Sequence, residues 1–338
     1  MDKPKYGFTG FLDCSDDPEL FRTMENSELP NPFDLIQERT QIERRQIVRP
    51  GVNITALASR AMKQIFKELN ITGKDCAGVV LSSCSAGNES DPLSKLAART
   101  AVTHGIPFSR SLNYACSGFP AAVQTAQEMD NPAGRHIIII TAETMSRIVD
   151  WNEENTAVVF GDGVAVTSII PGGKHEIYEA SAEGNIDDPK KCLQFGPKEG
   201  TLTVDGDIDP SARSVVSMSM RGGRYLYRNV PKALVDIVDD YAIGLEAFRH
   251  VVPHQANGKF IEKMREIIAD RKPRSIPNLV GTIQTHANTA SASIPKALAA
   301  TMDTFTPGDL VGCPAKGAGI NFEEGTLTKG LVVFRVGK

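Results

Sequence analysis

Four consecutive isoleucines, Ile137–Ile140, lie between His136 and Thr141. Successive side chains of a strand point to opposite faces, so this run puts apolar groups on both. Such a strand needs cover on each side, as in a sheet layered between helices. The surrounding chain has the matching rhythm. Cys76–Ser82 (CAGVVLS) reads as a second buried strand. Before it, Ile54, Ala58, Ala61, Met62, Ile65 and Leu69 fall roughly on one face of a helix over residues 52–69. Residues 158–160, the turn Gly161-Asp162-Gly163 and residues 164–170 read as strand, tight turn, strand. Residues 186–209, rich in Gly, Pro, Asp and Lys, read as a long loop between halves. Further on, residues 225–248 are mostly helical in pattern and residues 249–252 form a short strand. Phe260, Ile261, Met264, Ile267 and Ile268 make an apolar helical face, and 310–313 and 330–336 are late strands. Over 338 residues this alternation predicts an α/β fold of about two halves.

Composition narrows the function classes. With 41% apolar and 23% charged residues the chain is an ordinary globular sequence. Lys plus Arg number 37 against 41 Asp plus Glu, a net charge of −4, which excludes a globally basic nucleic-acid binder. No apolar run reaches the roughly 18–20 residues of a membrane helix, and the N-terminus carries no signal-peptide stretch, so a cytoplasmic protein is expected. Six cysteines are scattered without a CxxC pair, and neither a disulfide scaffold nor a metal site is expected.

Four short stretches carry chemistry. In residues 111–130, an extended piece leads to Cys116-Ser117-Gly118 and then to a small-residue helical pattern at Ala121, Ala122, Val123 and Ala126. A cysteine at a helix N-terminus faces unpaired backbone N–H groups, which favour the nucleophilic thiolate. The alternative is a buried structural thiol. His254 lies in VVPHQAN (251–257), at the end of a short strand. There it is either a packed core histidine or a donor to a developing oxyanion. Asn288 sits in THANTASASIP (285–295), where its side chain can cap a helix or donate to the same oxyanion. His286, two residues away, ranks below His254. Lys316-Gly317-Ala318-Gly319 follows the strand LVGC as a turn whose N–H groups could form an oxyanion hole.

Taken together and in this order, these stretches resemble the thiolase superfamily, and most closely its β-ketoacyl-acyl-carrier-protein synthase III branch. The words that carry the resemblance are YACSGF around Cys116, VFGDGVAV from Val159, VPHQAN around His254, ANTASASIP around Asn288 and the KGAG turn, with ERTQIERRQI (38–47) near the N-terminus. It spans roughly residues 35–338. It implies a five-layered αβαβα fold of two similar halves, each with a mixed five-stranded sheet: residues 1–172 with the nucleophilic cysteine, and 173–338 with the histidine and asparagine. By the same resemblance Cys116 is the acylated nucleophile, His254 and Asn288 bind the malonyl thioester carbonyl, and the N–H groups of Cys116 and Ala318 form the oxyanion hole. It implies decarboxylative condensation by a homodimer, with coenzyme A or acyl-carrier-protein thioesters as substrates, the carrier protein as partner, and no cofactor or metal.

Several positions depart from that family. Where members primed by coenzyme A carry a tryptophan and an arginine that sandwich adenine, this chain has Leu35 and Glu154; its only tryptophan is Trp151. An acyl donor other than simple acetyl-coenzyme A, such as a protein-borne acyl group, is therefore expected. Residues 88–92 (NESDP) fall where the family usually places an apolar, often aromatic, residue at the far end of the partner's acyl pocket, and Glu89 or Asp91 there would suit a polar chain; the other reading is a solvent-facing loop. Lys259 matches a carrier-docking position, with Arg221 and Arg224 as additions to the patch. These departures suggest a specialised fatty-acid or polyketide-type pathway. Alternatives are an acyltransferase making an ester or amide without decarboxylation, the partner subunit of a condensing heterodimer, and a papain-like cysteine hydrolase. Release of CO2 from a malonyl thioester separates condensation from all three.

Overall fold

The computed structural model describes residues 5–187, 191–318 and 326–338. Ten strands make one mixed sheet built from two fives. The first five run, edge to centre, Ser109–Leu112, Cys76–Ser82, His136–Glu143, Gly163–Pro171 and Tyr6–Asp13. The second five run, edge to centre, Asn278–Leu279, His250–Val251, Leu310–Ala318, Thr326–Arg335 and His175–Asp187. In each set the first two pairings are parallel and the next two antiparallel. The sets join through only two residue pairs, Gly7 with Glu176 and Phe8 with His175. The expected five-stranded sheets are thus present and joined edge to edge.

The isoleucine run shows how the layers form. Ile137 and Ile139 pack inward with Val80 against two buried helices, Gly118–Gln127 and Ser293–Thr301. Ile138 and Ile140 pack outward with Val79 and Leu81 against Ile54–Leu69 and Leu93–Thr103. On the second half, Leu331 and Val333 face outward to Met220–Asp239 and Gly258–Arg271, while Val332 and Phe334 face the centre. Helix, sheet, central helices, sheet and helix make the five layers. Burying every isoleucine side chain of the run stabilises each by about 1.5–3 kcal/mol relative to exposure.

Three sequence expectations need correction. Residues 158–160 are not a strand: a short helix, Glu154–Ala157, precedes them, and Phe160 makes only an isolated bridge to Asn288. The turn is fixed instead by the buried Asp162 carboxylate, which accepts from Ser146 N–H (2.7 Å), Ser146 Oγ (2.6 Å) and Val48 N–H (2.8 Å). Residues 186–209 are not a bare loop. Gln194–Lys198 pairs antiparallel with Arg213–Ser217, and Thr201–Leu202 with Ile208–Asp209, a ribbon packed over the buried Trp151. Its strands were hidden because they are short, partly exposed and punctuated by Gly and Pro. Residues 315–318 continue a strand rather than forming a turn, and Gly319 lies outside the described residues. Among the described residues no helix is long and apolar enough to cross a membrane.

Candidate active site

The two central helices begin in the same unusual way. A 3-10 turn over Ala115–Ser117 leads into Gly118–Gln127, and one over Ala290–Ala292 leads into Ser293–Thr301. Each turn opens with an alanine in the left-handed region, Ala115 at φ 46° and Ala290 at φ 45°. A non-glycine residue held there costs on the order of 1 kcal/mol or more, so the surrounding packing enforces it. Thr328 Oγ1 does part of this, donating toward Tyr114 C=O (3.0 Å) and lying 3.1 Å from Ser117 Oγ. The second half of the chain thereby holds the cysteine turn of the first.

Two glycines allow the approach. A Cβ on Gly118 would lie 2.3 Å from Ser82 Oγ and 2.6 Å from Ser291 Cβ, so the helix start fits only without one. A Cβ on Gly317 would lie 2.5 Å from Thr328 Oγ1 and 2.9 Å from the backbone N of Cys116. The strand end carrying Ala318 therefore passes directly beside the Cys116 amide.

Cys116 and Ala318 line one cavity of about 890 Å³ together with His254 and Asn288. Around them are the apolar side chains of Phe160, Leu193 and Leu327. The thiol does not rest as the expected thiolate. Burial, then the nearby Glu143 carboxyl, push it up to about 12, outweighing the opposing pull of its own backbone N–H. Glu143 is itself wholly buried. Its carboxyl is raised by burial against donors that include Ser291 Oγ, Ser85 Oγ (2.6 Å) and Cys84 N–H (3.1 Å).

His254 follows the short strand His250–Val251, and its N–H donates to Pro314 C=O (2.9 Å). Its Nδ1 lies 2.7 Å from Ser293 Oγ. Burial pushes the imidazole down to about 3, so the ring is neutral at physiological pH. Asn288 is fixed on both sides: its N–H donates to Val159 C=O (3.0 Å) and its C=O accepts from Gly161 N–H (3.1 Å). Its Oδ1 accepts from the N–H of Ala290 (2.9 Å), the first residue of the 3-10 turn, while Nδ2 makes only a long contact to Ala256 C=O (3.5 Å). Asn288 is thus not the helix N-cap, which falls at Thr289 for the 3-10 turn and Ala292 for the helix; its oxygen is engaged by Ala290 N–H, and its NH2 group makes only the long Ala256 contact.

His286 faces elsewhere. Its Nε2 lies 3.4 Å from Asp13, which also binds the buried Lys296 ammonium (2.9 Å). At the cavity mouth are Arg224 and Lys259, with Lys259 Nζ 3.1 Å from Glu262. Arg221 is exposed and does not line the cavity. Glu154 lines the mouth, but Arg39 pairs with it, so its charge is neutralised. Leu35 is 59% exposed and Trp151 is core, its indole N–H donating to Ser146 C=O (3.0 Å). Asp91 is taken up by Lys95 (2.6 Å) and Arg99 (2.5 Å), and Glu89 accepts from Ile54 N–H (3.1 Å) at a helix start. Neither lines the cavity of its own chain.

Sequence reasoning missed Arg39, Arg228 and Ser293. Arg228 lines the mouth from an element distant in the chain and no local pattern marks it, whereas Arg39 lies in the ERTQIERRQI word but was given no role there. Ser293 sits in the ANTASASIP word but was read only as a small packing residue. Among the described residues no group of three His, Cys, Asp or Glu side chains could hold a metal ion.

Known proteins share this organisation. Family models described as 3-oxoacyl-[acyl-carrier-protein (ACP)] synthase III and as its C-terminal part match residues 111–184 and 239–328. The curated β-ketoacyl-[acyl-carrier-protein] synthase III of Sphingopyxis alaskensis is 31% identical over 323 residues, covering 90% of this chain and 94% of the relative. That of Agrobacterium fabrum is 30% identical, covering 89% and 93%. Among solved structures, the 3-oxoacyl-[acyl-carrier-protein] synthase III of Aquifex aeolicus superposes with a TM-score of 0.74 at 24% identity, covering 98% of this chain and 99% of that one. The priming β-ketosynthase of the R1128 polyketide pathway gives 0.73 at 19% identity, covering 99% and 98%. At these identities the structural likenesses speak for the thiolase-like fold alone. With relatives at 30–31% identity along nine-tenths of its length, the chain belongs to the β-ketoacyl-[acyl-carrier-protein] synthase III family of condensing acyltransferases.

Proposed function

We propose that the chain transfers an acyl group onto Cys116 and condenses it with a malonyl thioester, losing CO2. The observation that supports this reading is a single cavity lined at once by a nucleophile, a neutral imidazole and a carboxamide whose oxygen is already committed. In the first half-reaction the Cys116 sulfur attacks the donor thioester. The S–H proton passes to the departing thiol, so the exchange is proton-neutral overall. This suits a nucleophile that rests as a thiol. The backbone N–H groups of Cys116 and Ala318 are the donors for the tetrahedral oxyanion.

In the second half-reaction the malonyl C–C bond breaks and CO2 leaves with its former carboxylate charge transferred to the thioester oxygen. His254 Nε2–H and Asn288 Nδ2–H stabilise that enolate, each well-placed donor contributing about 3–4 kcal/mol. The enolate carbon forms the new bond to the acyl carbonyl, the C–S bond breaks, and the Cys116 thiolate takes up one proton. The neutral imidazole suits this role, since with its proton on Nε2 it donates to the enolate without first having to take up a proton against its burial.

The apolar lining of Phe160, Leu193 and Leu327 supports an apolar acyl chain, and the engagements of Glu89 and Asp91 within their own chain argue against the polar alternative. Arg224, Arg228 and Lys259 around the mouth support an acidic acyl carrier protein as partner. Leu35 and Glu154, standing where the sandwiching tryptophan and arginine are expected, are neither aromatic nor cationic, which favours a protein-borne donor over acetyl-coenzyme A. The strand Ser109–Leu112 is an edge, with Phe108 and Val102 exposed beside it, a surface suited to a second copy of the chain. A specialised fatty-acid or polyketide-type pathway is the setting that these departures favour. Intact-mass analysis with acetyl-coenzyme A and acyl-carrier donors, using Cys116→Ala as control, together with CO2 release from malonyl thioester, tests the reading. Acylation without CO2 release would refute condensation in favour of simple acyl transfer.

A further inference from the structure

Ser293 is the first residue of the second central helix, and its hydroxyl sits between two partners. Gln255 N–H lies 3.3 Å from Oγ, and His254 Nδ1 lies 2.7 Å from it. A backbone N–H can only donate, so it occupies a lone pair of Oγ. The hydroxyl has one proton, and among the described residues the sole acceptor within its reach is Nδ1. A neutral imidazole carries one proton as well, and whichever nitrogen accepts from Ser293 cannot hold it. Nδ1 is therefore the bare nitrogen. The proton resides on Nε2, which has no protein partner among the described residues and belongs to a ring that lines the cavity.

We propose that Ser293 is a positioning residue for condensation: its O–H fixes the His254 tautomer that presents Nε2–H to the malonyl thioester. The opposite tautomer would aim a lone pair at the developing enolate and repel it. The step that suffers from losing Ser293 is thus decarboxylation, while acylation of Cys116, which uses backbone donors, does not. The inference rests on the condensing reading above for its kinetic consequence, but the tautomer itself can be read independently.

The test compares Ser293→Ala and Ser293→Thr with the wild-type full chain. Three readouts are taken: CO2 release from a malonyl thioester, acylation of Cys116 by intact mass, and imidazole ¹⁵N shifts of His254. Ser293→Ala is expected to lower CO2 release about 10–100-fold, the range seen when the partner that orients a metal-ligating histidine is removed. Acylation stays at the wild-type rate, and the nitrogen shifts move from one pyridine-type Nδ1 toward a tautomer mixture. Ser293→Thr, which keeps the hydroxyl, restores both. Unchanged nitrogen shifts in Ser293→Ala would overturn the proposal, as would a parallel fall of both half-reactions with the melting temperature. If the wild type itself releases no CO2, the condensing reading is what fails, and the nitrogen shifts still decide the role of Ser293.

Discussion

Replacing Lys296 with Met tests how the two halves are pinned behind the site. The Lys296 side chain is 1% exposed, yet its ammonium meets Asp13 at 2.9 Å and Ser15 Oγ at 2.5 Å. Its stem lies against Gly163, where a Cβ would come within 2.9 Å of Cδ. Asp13 ends the innermost strand of the first sheet, while Lys296 and His286 bracket the Asn288 loop in the second half. Burial alone would raise the Asp13 carboxyl. The Lys296 ammonium, aided by hydrogen bonds from His286, Lys296 and Ser15, reverses this and holds it well below the usual carboxylate range. Lys296→Met leaves that carboxylate buried with one long contact to His286 and one N–H donor, Ser15 (2.9 Å). Removing one partner of a buried pair costs about 3–5 kcal/mol, and the residual donors put this case near about 3. With an unfolding entropy of roughly 2.1 cal/mol/K per residue, the whole chain has about 0.7 kcal/mol/K, so Tm falls by about 4 °C. Melts at pH 7 and fixed protein concentration should show this for Lys296→Met and for Asp13→Asn. The double variant should be more stable than the sum of the two losses predicts, since it removes both stranded charges. The sign with pH follows from the depressed carboxyl: its stabilisation is present above the unfolded value near 3.8 and is lost as pH falls below it. Strict additivity, or a loss under about 1 kcal/mol for Lys296→Met, would refute this account of the cluster.

Three further outcomes are expected. His254 is held neutral by burial, titrating at about 3 when folded and near 6.5 when unfolded, so its contribution is complete above pH 6.5 and shrinks as pH drops toward 3. By linkage this amounts to about 5 kcal/mol over the whole span and about 3 kcal/mol by pH 4.5, so melts between pH 7 and 4.5 should fall less steeply for His254→Ala than for the wild type; identical slopes would contradict it. Asn288→Asp replaces the cavity-facing NH2 with a carboxylate oxygen and should cut CO2 release on the order of 100–1000-fold while Cys116 still acylates; equal loss in both half-reactions would speak against the donor role. Gly317→Ala forces the strand off Thr328 and the Cys116 amide and should slow acylation by on the order of 100-fold, read by timed intact-mass sampling; a wild-type rate would show that the contact is not needed.

Much of this was legible before any coordinates. Ile137–Ile140 demanded cover on both faces, and the fold supplies it with alternate residues in different layers. The words around Cys116 and His254 each sit between a strand and a helix, and the word around Asn288 sits between a short helix and a 3-10 turn; such local patterns survive in sequence because neighbouring residues build them. What failed depended on distant partners. The helix end at Cys116 suggested a thiolate, but burial, and then Glu143 arriving from another strand, push the thiol up. Glu154 looked like a bare carboxylate until Arg39 paired with it. Glu89, read as either a pocket or a loop residue, is engaged by Ile54 N–H from a remote helix, while Asp91 pairs with Lys95 only four residues on.

By itself the sequence determined the layered α/β class, because side-chain periodicity acts over a few residues, and its resemblance to a known family singled out Cys116, His254 and Asn288 as the candidate groups. Only the tertiary structure decided the protonation and orientation of those groups. The thiol of Cys116, the neutral ring of His254 and the committed oxygen of Asn288 are set by burial and by donors brought from remote parts of the chain. Electrostatics in a low-dielectric interior depends on distance through space, which the order of residues does not record.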